Sequence, residues 1–310
     1  MLLSREELAR HAPGRPTALT VGVFDGVHLG HRHLIDALKR RAAERGLASG
    51  VVTLHPSPIQ VLRPEIRIAY LTSLEERVEL LQATGVDTVA PLTFTSEVAE
   101  LSASDFLGLL HDTLDMRYML MGPDNAFGRG REGSPQRVME IGDELGFEAE
   151  VLDSALDNGH GRISATAIRE ALGRGDMEIV QHLLGRPFSL RGPVIRGHER
   201  GHAIGYPTAN MAVTPDRALP AFGVYVTRAL IGERTYPAAT NVGVNPTFDD
   251  APPSVETYIL DFEGDLYGRE LRIELLHRLR GEVKFPSIAA LTSAIAADVE
   301  AARAYFAERG

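Results

Sequence analysis

The chain has 310 residues, which at roughly 150 residues per domain predicts two domains. It carries 32 Lys and Arg residues against 42 Asp and Glu residues, and the formal charge of −10 argues against binding nucleic acid through a general basic surface. Apolar residues make up 44% and charged residues 24%, which excludes a disordered or collagen-like chain, and the absence of cysteine excludes disulfides and thiolate metal sites.

The sequence shows no sign of membrane insertion or secretion. No stretch approaches the roughly 20 apolar residues that a membrane-spanning helix needs. Charged residues begin at Arg5, too early for a secretory signal peptide. We therefore expect a cytoplasmic protein without a membrane or nucleic-acid partner, and the sequence leaves open whether it forms a homo-oligomer.

The first half of the chain has the pattern of an α/β domain. Apolar runs at 18–23, 50–54, 86–92, 117–122 and 147–152 alternate with amphipathic segments, which is typical of a parallel sheet covered by helices. A helix is expected before Gly46, and capping signals at Ser73 and Ser102 predict two more. The connection 55–72 holds three prolines and is long for a strand-to-helix loop, so it is either functional or mobile.

The second half has a different pattern. Two short helices are expected at 166–172 and 177–184, followed by β-type runs at 223–230, 255–262 and 270–279 that predict a small antiparallel barrel. A terminal helix packed on the barrel is predicted by a periodic set of residues, Leu291, Ile295, Asp298, Val299 and Ala302. The boundary is expected near Arg186, giving domains 1–185 and 186–310.

The first motif, Gly-Val-Phe-Asp-Gly-Val-His-Leu-Gly-His at 22–31, joins the first strand to the first helix. A helix N-terminus binds anions through its free N–H groups and dipole, and glycines let the backbone approach a phosphate. His28 and His31 lie three residues apart and suit nucleotidyl transfer, in which an existing phosphate attacks the α-phosphorus and no base is needed. The alternative is that both histidines are ordinary turn and cap residues.

Two further segments are candidates for the same site. Ser164, Thr166 and Arg169 place hydroxyls and a cation at a helix start, where they either contact a triphosphate or simply cap the helix. The segment 121–131 follows a predicted strand at the sheet edge where open α/β sheets bind ligands.

The second motif lies near the start of the predicted barrel. Gly197, Gly201 and Gly205 are spaced by four residues and precede Pro-Thr-Ala-Asn at 207–210. In an extended segment, Thr208 and Asn210 share one side, where two neutral oxygens could complete a Mg²⁺ shell supplied mostly by substrate phosphates. The alternative is a glycine-rich hairpin followed by a turn.

Together these motifs resemble those of the prokaryotic bifunctional riboflavin kinase/FAD synthetases, over residues 20–305. The family pattern G-x-F-D-G-x-H-x-G-H is complete at 22–31, and G-x-x-x-G-x-x-x-G-x-P-T-A-N is complete at 197–210. The resemblance implies an α/β, Rossmann-like nucleotidyltransferase domain of the H-x-G-H superfamily. A small antiparallel β-barrel riboflavin kinase domain with a C-terminal helix then follows.

The resemblance implies two ATP-dependent reactions, with Mg²⁺ as the metal and riboflavin, FMN and FAD as substrates and products. The barrel would phosphorylate riboflavin to FMN, and the first domain would adenylylate FMN to FAD and release pyrophosphate. The implied catalytic residues are Glu256, His28 and His31, and the implied Mg²⁺ ligands are Thr208 and Asn210. The implied ATP and phosphate contacts are Gly22, Phe24, Asp25, Gly26, Gly30, Ser164, Thr166, Arg169, Gly197, Gly201, Gly205, Thr208 and Asn210. The implied flavin contacts are Asp124, Phe127, Arg280, Glu282 and Phe285.

The sequence departs from the family pattern at Ser57, Asn125 and Ala165, mostly on the flavin side of the first domain. These departures support one alternative, a riboflavin kinase whose first domain is a non-catalytic or weakened nucleotide-binding module. A second alternative is a nucleotidyltransferase for another phosphorylated acceptor, which leaves the motif at 197–210 and Glu256 unexplained.

Overall fold

The computed structural model describes residues 2–152, 163–197, 204–244 and 253–309. Contacts between residues divide the chain into two compact units, Met1–Ala165 and Thr166–Gly310. Within the part of the chain that the structure describes, no helix is long and apolar enough to cross a membrane.

The first unit contains a five-stranded parallel sheet. Its strands are β1 (Thr17–Gly22), β2 (Ala48–His55), β3 (Thr88–Thr93), β4 (Met116–Met121) and β5 (Glu148–Val151). They lie in the order β3-β2-β1-β4-β5, and all neighbours are parallel. The five strands expected from the sequence are confirmed, with ends shifted by at most two residues.

The helices of this unit are α1 (Leu2–Ala9), α2 (Leu29–Arg45), α3 (Pro58–Leu62), α4 (Leu74–Gln82), α5 (Ser96–Ala99), α6 (Ala103–Leu114) and α7 (Pro135–Leu145), with a 3-10 turn at Arg129–Arg131. Gly46 ends α2 at φ 68°, and Ser73 forms a capping box with Glu76 at the start of α4, so both predicted signals are confirmed. The sequence did not predict α1, α3, α5 or α7.

The strand order places the first motif at a switch point of the sheet. β2 and β3 lie on one side of β1, and β4 and β5 lie on the other side. The sheet therefore grows in opposite directions on the two sides of the boundary between β1 and β4. Ligands of open α/β sheets bind at such a point, beyond the carboxyl ends of the strands. The turn after β1 and the segment after β4, which starts at Gly122, therefore both lie at the sheet edge suited to a ligand.

The second unit is a closed six-stranded antiparallel barrel with three helices among the described residues. Its elements are α8 (Ala165–Arg174), α9 (Met177–Leu184), β6 (Phe188–Ile195), β7 (Ala209–Met211), β8 (Gly223–Ile231), β9 (Arg234–Val244), β10 (Pro253–Ile259), β11 (Glu270–Gly281) and α10 (Ile288–Arg309). The strand order around the barrel is β10-β7-β6-β11-β8-β9. The expected barrel and terminal helix are confirmed.

Three barrel strands were not expected from the sequence. β6 contains Gly192 and Pro193, and β9 contains Pro237, residues that normally argue against a strand. β7 has only three residues. Half of the barrel strands were therefore missed, two because they contain proline and one because it is short.

The contact boundary lies before the domain boundary that the sequence predicts. α9 packs on β6 and β11, and the Leu172 carbonyl of α8 accepts the Ala221 N–H at 2.8 Å. Both helices therefore contact the barrel, although the sequence places them in the domain 1–185. The functional boundary near Arg186 stays a prediction.

A chain of buried hydroxyls links three barrel strands. Thr227, Thr240 and Thr257 are fully buried, and the Oγ1 atom of Thr240 lies 2.8 Å from that of Thr227 and 3.0 Å from that of Thr257. Buried hydroxyls are costly unless they are hydrogen-bonded. The three threonines satisfy one another, which lets this polar row lie inside the barrel.

We expect Thr240→Val to lower the free energy of unfolding of the barrel by about 1–3 kcal/mol, because it removes a partner from two buried hydroxyls. Urea unfolding followed by circular dichroism measures the change. Thr235→Val, at an exposed position of the same strand, is the matched control. Equal stability of the two variants would contradict the structural role of the hydroxyl chain.

Candidate active sites

The turn between β1 and α2 has an unusual backbone. Phe24, Gly26 and Val27 all have positive φ, at 51°, 78° and 41°. Positive φ is unfavourable for a β-branched residue, and such strain persists only where the surroundings enforce it. The side chains of Phe24 and Val27 are buried in the core, which holds the turn in this conformation.

Asp25 fixes this turn to the end of the long 55–72 connection. Its carboxylate accepts the N–H of Leu71 at 3.0 Å and that of Thr72 at 3.2 Å. The Thr72 hydroxyl in turn accepts the N–H of Gly26 at 3.2 Å. The connection therefore supports the turn, and a functional role for it stays a prediction. Direct contact between Asp25 and ATP stays a prediction.

A buried arginine lies behind Asp25. The Arg77 side chain is fully buried, and its Nη2 atom lies 3.7 Å from Oδ1 of Asp25. Nη1 donates to the Leu54 carbonyl at 3.4 Å, and the guanidinium lies 5.4 Å from the centre of the Tyr70 ring. Sequence reasoning missed this residue. The available signal was a cation on the apolar face of α4, one turn after Leu74.

The two histidines of the motif are brought together. His28 caps α2, and its Nδ1 atom accepts the His31 N–H at 3.3 Å. The rings stack with centroids 3.6 Å apart, and the Phe24 ring meets His31 edge-on at 5.0 Å. Burial, then the proximity of His28 and Arg77, hold the pKa of His31 well below its usual value. His31 is therefore neutral at pH 7, and His28 has the capping role that the alternative interpretation gave it.

Gly30 lies against the His28 ring and near the segment before α8. A Cβ at Gly30 would lie 3.2 Å from the His28 ring and 3.6 Å from the Ile163 carbonyl. Ser164 follows Ile163 directly and is half-buried. Thr166 is exposed and Arg169 half-buried on α8. The phosphate contacts expected of these three side chains stay predictions.

The segment after β4 is tied to β1. Asn125, one of the departures from the family pattern, donates its side-chain N–H to the Val21 carbonyl at 3.1 Å. Asp124 is exposed, whereas Phe127 is 8% exposed and its ring lies 5.9 Å from that of Phe106 in the core. Asn125 therefore has a structural role, and flavin contacts by Asp124 and Phe127 stay predictions.

The barrel unit contains a cavity of about 540 Å³. Six residues that the sequence singled out line it: Thr208, Asn210, Glu256, Arg280, Glu282 and Phe285. Gly201 lies outside the described residues. The cavity thus collects the expected side chains from β7, β10, β11 and the segment after β11, and Thr208 and Asn210 share one side as the alternation predicts.

Strand register places a polar row in this cavity. Glu256 of β10 pairs with Asn210 of β7 on one side and with Asn241 of β9 on the other. Its neighbours Val255 and Thr257 are fully buried, so the alternation directs Glu256 to the opposite face, where it lines the cavity.

Glycines bring two of the cavity side chains close to the backbone. A Cβ at Gly197 would lie 2.5 Å from the Asn210 amide, and a Cβ at Gly243 would lie 1.8 Å from a Glu282 oxygen. A side chain at position 197 would displace the Asn210 amide, whereas the exposed Glu282 side chain could move away from one at position 243. Gly197 therefore leaves room for the Asn210 side chain, while its expected contact with ATP stays a prediction, as does that of Gly205.

Sequence reasoning missed part of the cavity wall. Asn241, Tyr258 and Asp298 also line it, together with the aliphatic side chains Leu291, Ile295 and Val299 of α10. Asp298 pairs with Arg280 through two contacts, at 3.0 and 2.7 Å. The terminal helix is therefore part of the cavity as well as a support for the barrel.

The oxygen donors of the cavity fit Mg²⁺ only in combination with a phosphate substrate. Among residues 2–152, 163–197, 204–244 and 253–309, no group of three or more His, Asp or Glu residues could hold a metal ion. Thr208 and Asn210 offer a hydroxyl and an amide oxygen. Mg²⁺ in nucleotide sites takes few protein ligands and completes its shell with phosphates and water, so these residues fit that kind of site.

Two family models match the chain, FAD synthetase over residues 11–167 and riboflavin kinase over residues 184–306. The bifunctional riboflavin kinase/FMN adenylyltransferase of Escherichia coli K12 is 36% identical over 95% of this chain and 94% of its own length. This chain belongs to the bifunctional riboflavin kinase/FMN adenylyltransferase family. The family members of Listeria monocytogenes and Bacillus subtilis are 36% and 33% identical, over 94% and 98% of this chain and 92% and 95% of their own lengths.

A solved structure has the same fold. The crystal structure of a protein from Streptococcus pneumoniae, named a macrolide-efflux protein, superposes with a TM-score of 0.86 at 31% identity and covers 96% of both chains. Both halves of the chain match the bifunctional family, which supports the two-activity interpretation over a kinase alone or a transferase for another acceptor.

We expect Arg77→Met to lower the free energy of unfolding of the first unit by about 3 kcal/mol, because it leaves the buried Asp25 carboxylate without its cation. Thermal and urea unfolding measure the loss. Arg5→Met is the matched control, since Arg5 pairs with Asp112 at 3.3 Å while both side chains are about half exposed, and it should cost less than about 1 kcal/mol. Equal losses would contradict a supporting role for Arg77.

Proposed function

We propose that this family member phosphorylates riboflavin to FMN in the barrel cavity and adenylylates FMN to FAD at the turn between β1 and α2. One observation in each unit carries the proposal. The cavity brings Thr208, Asn210 and Glu256 together, in the unit that matches riboflavin kinase. The stacked His28 and His31 lie at a helix N-terminus in the unit that matches FAD synthetase.

In the kinase reaction, Glu256 acts as the general base. Its carboxylate takes the proton of the ribityl 5′-hydroxyl as that oxygen attacks the γ-phosphorus of ATP and ADP leaves. The Thr208 hydroxyl and the Asn210 amide oxygen would hold Mg²⁺, which would neutralise charge on the ATP phosphates. The register that places Asn210 beside Glu256 supports this division of roles.

In the adenylyl transfer, the phosphate of FMN attacks the α-phosphorus of ATP, and pyrophosphate leaves. The attacking phosphate is already ionised, so the site needs donors rather than a base. The α2 N-terminus supplies backbone N–H groups, and His28 and His31 supply ring N–H groups. Ser164, Thr166 and Arg169 complete the phosphate contacts in this proposal.

The proposal makes ATP the co-substrate of both reactions and Mg²⁺ the metal of the kinase site. It also places the protein in the cytoplasm without a nucleic-acid or membrane partner. The charge of −10 supports the nucleic-acid part, since phosphate backbones are bound mainly through clustered Lys and Arg.

We expect Glu256→Gln to lower the rate of FMN formation by about 10²-fold or more, because the amide cannot take the hydroxyl proton. The test incubates the full chain with riboflavin, ATP and Mg²⁺ and resolves FMN and FAD by chromatography. Glu233→Gln, at an exposed hairpin position, is the control. FMN formation at the wild-type rate in Glu256→Gln would rule out the proposed base. FMN without FAD from the wild-type chain would favour the kinase-only alternative.

We expect His31→Ala to slow FAD formation from FMN and ATP by about 10²-fold or more, because it removes a donor from the transferring phosphate. The same variant should keep its riboflavin kinase rate. His111→Ala, on α6, provides the control for a histidine outside the motif. An unchanged FAD rate in His31→Ala would remove His31 from the catalytic residues.

A further inference from the structure

The terminal helix α10 carries a buried carboxylate on the face that lines the kinase cavity. Leu291, Ile295 and Val299 are aliphatic and line the cavity, and Asp298 lies among them with 8% of its surface exposed. An ionised carboxylate in such a place is costly unless it is paired. The partner of Asp298 therefore identifies the part of the structure to which this face of α10 is bound.

That partner is Arg280, near the end of β11. Nε of Arg280 lies 3.0 Å from Oδ1 of Asp298, and Nη2 lies 2.7 Å from Oδ2, which is a two-point arginine–carboxylate pair. The Nη1 atom donates to the Gly281 carbonyl at 3.1 Å. Three donors of Arg280 are thus used within the protein.

Arg280 also contacts the segment after β11. Its guanidinium carbon lies 5.5 Å from the centre of the Phe285 ring, within the range of a cation–π contact. The backbone at Arg280 pairs with Val224 of β8 and approaches Gly223 so closely that a Cβ there would lie 2.2 Å from the Arg280 carbonyl oxygen. One side chain therefore connects a barrel strand, the Phe285 segment and α10.

We propose that Asp298 and Arg280 are positioning residues that hold Phe285 and the aliphatic face of α10 as the binding wall for the isoalloxazine ring of riboflavin. The cavity has both polar and apolar lining. The polar row of Asn210, Glu256 and Asn241 comes from barrel strands, whereas α10 and Phe285 contribute an apolar wall in addition to the barrel residues Val224, Ala239 and Val244.

A planar aromatic ring needs an apolar surface whose shape does not change on binding, because ordering that surface would reduce the affinity. The cavity volume of about 540 Å³ is in the range of pockets for ligands of this size. The Arg280–Asp298 pair thus acts on riboflavin binding through its neighbours, and this inference rests on the proposed kinase function.

The same helix offers a matched control. Arg303 of α10 pairs with Asp261 through two contacts, both of 2.7 Å. These side chains are 44% and 71% exposed, and neither lines the cavity. Arg303 uses Nη1 and Nη2 where Arg280 uses Nε and Nη2, but Asp261→Asn likewise removes a two-point pair from the same helix without touching the proposed wall.

The test compares steady-state kinetics of the full chain with riboflavin, ATP and Mg²⁺. We expect Asp298→Asn to raise the KM for riboflavin by about tenfold, the change that corresponds to the loss of one charge-assisted contact. Because Glu256, Thr208 and Asn210 are unchanged, kcat should change much less. Asp261→Asn should stay near the wild-type KM, and FAD formation from FMN should be unaffected in both variants.

A second variant tests the proposal in case Asp298→Asn does not fold. Arg280→Lys keeps the positive charge beside Asp298 but cannot form the two-point pair, so it should also raise the KM for riboflavin. Thermal unfolding followed by circular dichroism shows whether the barrel of each variant is intact. If Asp298→Asn unfolds the barrel, Arg280→Lys decides the outcome, and if both unfold it, the pair serves folding and the proposal is wrong.

Three further outcomes would overturn the proposal. They are a wild-type KM for riboflavin in Asp298→Asn, a loss in that variant confined to kcat, and an equal rise of KM in Asp261→Asn. These results differ from failure of the proposed function, in which the wild-type chain itself would form no FMN.

Discussion

An arginine paired with a buried aspartate lies behind each of the two candidate sites, and each pair joins two different elements of its unit. Arg77 stands behind Asp25 in the turn after β1, and Arg280 holds Asp298 of α10 beside the kinase cavity. A buried charge that loses its partner is strongly destabilising, so these contacts restrict the backbone more than apolar packing alone would. The backbone of each site depends on that restriction.

The two pairs work differently. Asp25 lies 3.7 Å from the guanidinium and uses its carboxylate mainly to accept backbone N–H groups of Leu71 and Thr72. The first pair therefore shapes a strained turn by hydrogen bonds to the main chain. In the second pair Asp298 meets Arg280 directly through two donors, which fixes a helix against a strand. One stabilises a loop conformation, and the other fixes the distance between two elements.

Local patterns predicted the parts of the fold that local physics decides. The alternation of apolar runs, the cap at Ser73 and the left-handed Gly46 define the α/β unit, and the structure confirms them. β6 and β9 were missed because the closed barrel accommodates Pro193 and Pro237, which a local pattern counts against a strand.

The sites show the same limit of prediction. Alternation along the chain predicts that Thr208 and Asn210 lie on one side of an extended segment. The register that places Asn210 beside Glu256, in contrast, is a tertiary pairing between β7 and β10. Asp298 was visible as a carboxylate within the apolar stripe of the terminal helix. Its partner was not visible, because nothing in the local sequence connects position 298 with position 280. A charged residue on an apolar face thus signals a buried pair without identifying the other half.

The charge balance of the chain follows from this arrangement. Arg77 and Arg280 each face a carboxylate, so neither adds net positive charge to its site. With a formal charge of −10 overall, the proposed binding of ATP relies on local groups. In that proposal the N-terminus of α2 and the His28 and His31 rings act as donors without a permanent charge, since burial holds the pKa of His31 well below its usual value, and Arg169 and Mg²⁺ provide positive charge. Neutral donors fixed in place stabilise charge that develops during phosphate transfer, because their orientation costs nothing when the reaction occurs. The two arginine–aspartate pairs and the phosphate donors are therefore complementary, since the paired arginines hold the backbone while, in the proposed reactions, neutral donors, Arg169 and Mg²⁺ face the phosphates.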